Sequence, residues 1–565
     1  MVHAAFDALR LRTFDALVAA SPEEATSLGL SPSGPPLSRC GPDGPIAEVV
    51  AHREVLAGLE RLDAASMDAS DQADRDVMER LARFRLHLIE ERREHRTDLE
   101  LSLLGACSTL HASSMACDRG SAFEWEQVAE RADAIAGTLR AREQALVAGL
   151  SEGRAAQPEL AAFFAERAIP WMAQALAAVP ALAAGAREEG SSAIPSTASA
   201  AQQALTSACE RAVAALSRHA EWIAREVVPH AGRASALDPA EHALRMELCW
   251  GITTPADDIE AEAEASVRAA HERVVHCARD VAAARGAAVR DLADASALLH
   301  ELLGETFSPE DDLAGAYRAA TARALAITRD ERLFQIDDPE SLQVELARGR
   351  PWLGGAVNWP APLFAPAAPA RVLLSPDPKA HPQVAVANLA VHEGLPGHGL
   401  ESLAFRRTFG GRRAPVSMLG LHDDLMQATK WVGPMLRIEG HAVYVEELLL
   451  DHGLQSAEGA LFVEACKALR AARVIADLDL HVHGLSLAQT AARLAERSLF
   501  PLAWAEGQAM RYLRVPLQCA AYHLGAREVR RSIEELRARE PGLDLAAAHA
   551  RLFELGPIPP PRLGV

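Results

Sequence analysis

The chain has 565 residues, 49% hydrophobic and 24% charged, a composition that can bury a large core and excludes disorder over most of its length. A formal net charge of -20 opposes nonspecific attraction to nucleic acid or anionic lipid, which requires a basic face, so neither is expected as a partner. The eight cysteines (Cys40, Cys107, Cys117, Cys209, Cys249, Cys277, Cys466, Cys519) are dispersed and form no C-x-x-C pair, which argues against a zinc knuckle and a disulfide framework.

Alanine, leucine, arginine and glutamate dominate and only 4 tyrosines occur, so intrinsic propensity predicts a mainly α fold. The opening segment reads as a helix that alternates apolar and charged residues. It lacks the uninterrupted apolar stretch of a secretory signal, which leads to an expected cytoplasmic location. No continuous run of apolar residues is long enough to span a bilayer, so no membrane association is expected. Ser21 to Pro45, rich in Pro, Gly and Ser, is predicted to be a surface connection. From Ile46 to about Gly153 apolar residues recur at helical spacing, with Val77, Leu81, Phe84 and Leu88 on one face. Val179 to Leu205 is expected to contain a loop between helices, and helical periodicity resumes through residues 221–231 and from Ala256 to Leu303. From Arg348 to His381 prolines and glycines exclude long helices, and the VLL triplet predicts a short strand or extended element bordering a cleft.

The chemistry concentrates in NLAVHEGLPGHGLES, which brings His392, Glu393 and His398 into one short stretch. In an H-E-x-x-H zinc helix the two imidazoles lie one turn apart with the glutamate beside them as general base. Here two residues are added. On an undistorted helix the two histidines would point about 120° apart and stand about 9 Å apart along the axis, which suits one metal poorly. Pro396 and Gly397 supply the remedy: one lacks a backbone donor and the other tolerates unusual dihedrals, so a local bulge or break is predicted to swing His398 back beside His392. Downstream, RIEGHAVYVEELLLDHG predicts a helix with Glu439 and Glu446 two turns apart on one face. Two histidines, one carboxylate and an open position for water form a common zinc hydrolase set, and Glu439 fits the third place best.

EGHAVYVE resembles the third-ligand helix of the gluzincins, notably the leukotriene hydrolase and aminopeptidase branch, which implies Glu439 as the ligand. HEGLPGH followed by EGHAVYVEEL more closely resembles a bacterial family of unknown function, numbered 885, similar in fold to the thermostable carboxypeptidase Taq group. Members of that family carry H-E-x-x-P-G-H and E-G-W-A-x-Y-x-E. The likeness extends to SPEEATSLGL, RVIADLDLH and RYLRVPLQCAAYHLG. His441 stands in place of the family's usual tryptophan, Glu401 where glutamine is common, and Leu478 and Asp479 in place of a Thr-Gly pair. The resemblance implies a large helical shell around a deep active-site cleft.

These readings predict a single catalytic domain, with 1–335 as a helical scaffold lobe and 336–565 as a metal-site lobe. Zn2+ is the expected cofactor, held by His392, His398 and Glu439, with Glu393 relaying a proton and Glu446 orienting a ligand histidine. Candidate donors to an oxyanion are His481, Tyr512, Tyr522 and His523; Tyr522, followed by His481, is preferred because each matches a family position. Arg511 and Arg514, one turn apart, are candidates to clamp a substrate carboxylate. The expected activity is hydrolysis of a small peptide or related amide, carboxypeptidase-like in character. The alternatives are an amidase, esterase or tailoring enzyme for a specialised metabolite, and a noncatalytic helical binding protein that keeps the fold.

Overall fold

The computed structural model describes residues 2–557, apart from 31–34, 65–66, 120–121, 191–196, 233–236, 348–349, 351–352, 366–368 and 411–428. It is mostly helical with one small sheet. The predicted face of Val77, Leu81, Phe84 and Leu88 is buried, its first three residues on the Ala69–Leu86 helix and Leu88 just beyond. The Ser21–Pro45 segment departs from its reading as a plain connection. Pro22–Ser27 is a helix because Ser21 caps it, accepting a hydrogen bond from the Glu24 amide, and Pro22 opens it with a preset φ. Helices occupy Val179–Gly190 and Thr197–Trp222, and the loop expected between them falls on 191–196, outside the described residues.

The extended stretch forms a three-stranded sheet in the order β1-β3-β2, from β1 (Leu342–Leu346), β2 (Ala356–Trp359) and β3 (Ala370–Leu374). β1 runs parallel to β3, and β2 runs antiparallel to it. All five residues of β3, including the predicted VLL triplet, are buried, as a central strand covered on both faces requires.

The hydrophobic clusters do not divide at residue 335. The principal core draws on Phe6, Phe84, Trp250 and Val267 as well as Val391, Leu436, Leu478 and Phe553. A second cluster takes Leu37 and residues between Leu99 and Val227. The seam therefore falls inside the proposed scaffold lobe, because the apolar faces of helices on both sides of residue 335 are buried against one another. The Ala457–His481 helix is apolar or buried on nearly every side and packs along Ala256–Ala284, which joins the halves. Pro158–Gly185 is long and apolar enough to cross a membrane by length and composition, yet Phe164, Ile169, Met172 and Leu176 sit in the second core.

Candidate metal centre

A short helix, Val386–Leu389, widens into a π turn over Ala390–Gly394 and stops. Leu395 is extended, the Leu395–Pro396 peptide is cis, and a new helix begins at His398. The chain folds back sharply here, since the Gly397 amide donates to the Val391 carbonyl at 3.0 Å. A Cβ on Gly397 would stand 2.3 Å from the carbonyl oxygens of both Val391 and His392, so only glycine permits that approach. The break places the rings of His392 and His398 4.7 Å apart, nearly perpendicular at 80°. Gly394 rests against Leu342 of β1 and Val372 of β3, which gives the sheet its role as a support beneath the turn.

Glu439 arrives from the Met435–Asp451 helix. Its Oε2 lies 3.5 Å from His392 Nε2 and 3.5 Å from His398 Nε2. The three donor atoms are mutually within 4.8 Å. Carboxylates fix both imidazoles from behind: Glu446 Oε1 is 2.6 Å from His392 Nδ1, and Glu401 Oε2 is 3.3 Å from His398 Nδ1. With Nδ1 occupied, each ring turns Nε2 inward, the arrangement that metal-ligating histidines adopt. Arg470 bonds Glu446 at 2.5 Å and Arg437 bonds Glu401 at 2.7 Å, so each carboxylate is in turn neutralised.

The donor set fits a zinc ion. Glu439 Oε2 is buried without a hydrogen-bond partner, a costly condition for a carboxylate oxygen. Bonds of about 2.1 Å in a tetrahedral zinc site set neighbouring donors about 3.4 Å apart, close to the spacing around that oxygen. Without metal the two imidazoles favour their protonated forms and Glu439 its charged one. Burial disfavours the charged form of His392, yet its ion pairs with Glu439 and Glu446 outweigh that and raise its pKa to about 9. His398 is likewise raised against burial by Glu401 and Glu439, while the two histidines hold Glu439 well below the usual carboxylate range despite its burial.

Glu393 lies beside the ligands, and burial raises its pKa against the lowering influence of His392 and His398. Asn358, on β2, holds it twice: the backbone amide donates to Glu393 Oε2 at 2.7 Å, and the side-chain amide donates to the Glu393 carbonyl at 2.8 Å. The Tyr522 ring lies almost parallel to that of His392, with centroids 6.5 Å apart. It is brought there by the crossing of its helix, Ala521–Arg539, over Met435–Asp451, where Gly440 and Gly525 meet backbone to backbone.

Other candidates lie elsewhere. His481 is fully buried, bonded through Nε2 to the Tyr512 carbonyl at 3.1 Å and 3.9 Å from Asp477, and the structure does not bring it to the ligand group. Arg514 forms a bidentate pair with Glu100, at 2.6 and 2.9 Å, so its guanidinium is already occupied. Arg511 is half-buried near Tyr512 and Cys519. Tyr512 is buried with its hydroxyl on Arg473, and His523 is kept neutral by burial, its pKa lowered to about 4. Sequence reasoning missed Asn358, Arg437 and Arg470, whose roles are set by contacts across long sequence separations. Glu401 was visible only as a departure from glutamine. His441, the departure from tryptophan, is buried between Phe334 and Phe553 and donates through Nε2 to the Pro396 carbonyl.

Among the described residues a second group, Glu260, Asp479 and His483, has metal-compatible spacing, but Arg493 stands 3.0 Å from Asp479. A cavity of about 680 Å³ lined by Leu17, Ile46, Leu81 and Trp431 is bordered by none of the three ligands.

The family model for bacterial proteins of unknown function DUF885 matches residues 22–564. The chain belongs to this family. As a DUF885 protein it has close structural likenesses of similar length. One is described as a "putative lipoprotein of unknown function" from Shewanella oneidensis, with a TM-score of 0.73 at 15% identity, covering 99% of this chain and 98% of that one. A second, described as a "putative lipoprotein" from Colwellia psychrerythraea, gives a TM-score of 0.72 at 15% identity, over 99% and 97% of the two chains. At that identity the likeness shows the fold, and the lipoprotein description belongs to those proteins. No curated protein matches this DUF885 chain.

Proposed function

We propose that the protein is a zinc-dependent hydrolase that cleaves a peptide or related amide bond in a small substrate. The observation that carries this reading is the convergence of His392 and His398 on one buried carboxylate oxygen of Glu439 that accepts no hydrogen bond, with Glu393 alongside. The resemblance of EGHAVYVE to the third-ligand helix of the gluzincins, and of the family to the carboxypeptidase Taq group, supports it further. Zinc held by these three residues would polarise a substrate carbonyl and acidify a water molecule. Glu393 is the proton carrier: its raised pKa suits a group that takes a proton at a carboxylate oxygen and returns it to a leaving amine. Asn358 holds that carboxylate in place, and Tyr522 is the proposed donor to the developing oxyanion.

β2 lies at one edge of the sheet, and its Asn358 amide is spent on Glu393 rather than on β3. An extended substrate laid along this edge would pass the proton carrier. Purified protein should carry about one zinc per chain, as a single three-ligand site requires. Glu393→Gln should keep the zinc and lower kcat by roughly 10²–10⁴ on small peptide substrates. Retained metal with turnover confined to esters or acyl amides would favour the tailoring-enzyme reading. Undiminished activity in His392→Ala, which removes a ligand, would sink both.

A further inference from the structure

We propose that Arg473 receives the free C-terminal carboxylate of a peptide substrate, so that the site acts on the last peptide bond. This deepens, and rests on, the reading of the metal centre as a peptide hydrolase. Arg473 lies on the Ala457–His481 helix, and its guanidinium stands 4.6 Å from the centroid of the Tyr522 ring. That ring in turn lies 6.5 Å from His392, nearly parallel to it. Together these separations leave at most about 11 Å between the His392 ring and this cation, a gap that the metal, one extended residue of about 3.3–3.6 Å and the ion-pair contact would fill.

The surroundings of Arg473 are what single it out. Its Nε donates to the Tyr512 hydroxyl at 2.9 Å, which together with the Tyr522 ring fixes the plane of the guanidinium. Among the described residues no carboxylate stands within 4.0 Å of it, although the chain has 77 acidic residues against 57 basic ones. Its neighbours are served differently: Arg470 is paired with Glu446, Arg514 with Glu100, and Arg437 with Glu401. Asp477, one turn along the helix, gives its oxygens to His242 and the Leu517 amide. A half-buried guanidinium held flat, its outer edge unclaimed by any carboxylate among the described residues, is suited to bidentate binding of one.

The test uses zinc-loaded, full-length protein and a pool of N-acetylated tripeptides that vary in the last residue, supplied as free acids and as C-terminal amides. Wild type should cleave the acids with kcat/KM about 100-fold above the amides, the ratio expected for losing a charge-assisted bidentate contact. Arg473→Met should erase that ratio by lowering cleavage of the acids alone, chiefly through KM, and Arg473→Lys should restore part of it. Equal cleavage of acids and amides by wild type would overturn the role of Arg473 while leaving the hydrolase reading intact. An Arg473→Met protein that loses both pools alike, with its zinc retained, would also overturn it, since a packing role alone predicts that result. Cleavage of neither pool would sink the peptide-hydrolase reading and this inference with it.

Discussion

Glu446 does not reach the ligand cluster, yet its carboxylate decides which nitrogen of His392 faces Glu439. Its bond to His392 Nδ1 fixes the ring, and Arg470 keeps the carboxylate charged, with its pKa held down despite burial. Glu446→Gln should therefore weaken zinc binding by about 10- to 100-fold, as loss of such a supporting carboxylate does elsewhere, measured by competition with a chromogenic chelator. Unchanged affinity would remove Glu446 from the centre. The protons on the histidines set a further expectation. In the metal-free protein the carboxylates of Glu439 and Glu446 push the His392 pKa up to about 9 against the cost of burial, so its ion pairs should contribute stability that is complete below about 6.5 and fades as pH rises through about 9. Zinc competes with those protons. Its apparent affinity should climb between pH 6 and 9, with proton release visible as a dependence of binding heat on buffer ionisation enthalpy. A flat profile would mean that the histidines are already neutral.

At the scale of elements, the proposed metal centre depends on two places where helices behave irregularly. The first is the break after Gly394, which converts an unsuitable six-residue spacing into adjacent imidazoles. The need for a break near Pro396 and Gly397 was legible from the spacing; the π turn before it and the Gly397–Val391 bond were not, because both depend on where the chain is pressed against the sheet. The second is the crossing of Met435–Asp451 with Ala521–Arg539. A Cβ on Gly525 would lie 2.0 Å from the Leu436 carbonyl oxygen, a backbone atom that cannot rotate away. Gly525→Ala gains about 1 kcal/mol of helix propensity but forces the helices apart, at an overpacking cost of about 1–3 kcal/mol or more. The expected result is a less stable protein in chemical denaturation, with Tyr522 displaced from His392 and zinc retained. A stabilised variant would show that the crossing has slack.

At the scale of the whole molecule, the principal core unites helices from the first and last parts of the chain around the residues that flank the ligands, Val391, Leu395, Leu436 and Val443. Metal binding should therefore stabilise the fold as a unit rather than a detachable lobe. At free zinc 1,000-fold above Kd the gain is about 4 kcal/mol, and it should raise the thermal midpoint of wild type but not of His392→Ala. A midpoint insensitive to zinc and to chelator would separate the centre from the core.

Helical class, the short strand, the need for a break at Pro396-Gly397 and the proposal of His392, His398, Glu393 and Glu439 as metal-centre residues all start from local pattern: propensity, periodicity and spacing act over a few residues and are written in the chain. The partners of those residues follow another rule. Asn358 beside Glu393, Arg437 beside Glu401, Arg514 taken by Glu100 and His481 sealed behind Tyr512 are pairings between distant segments. Only the packing of the helices decided them, because a charged side chain goes to whichever opposite charge the fold brings within reach, and that distance is a property of the tertiary structure alone.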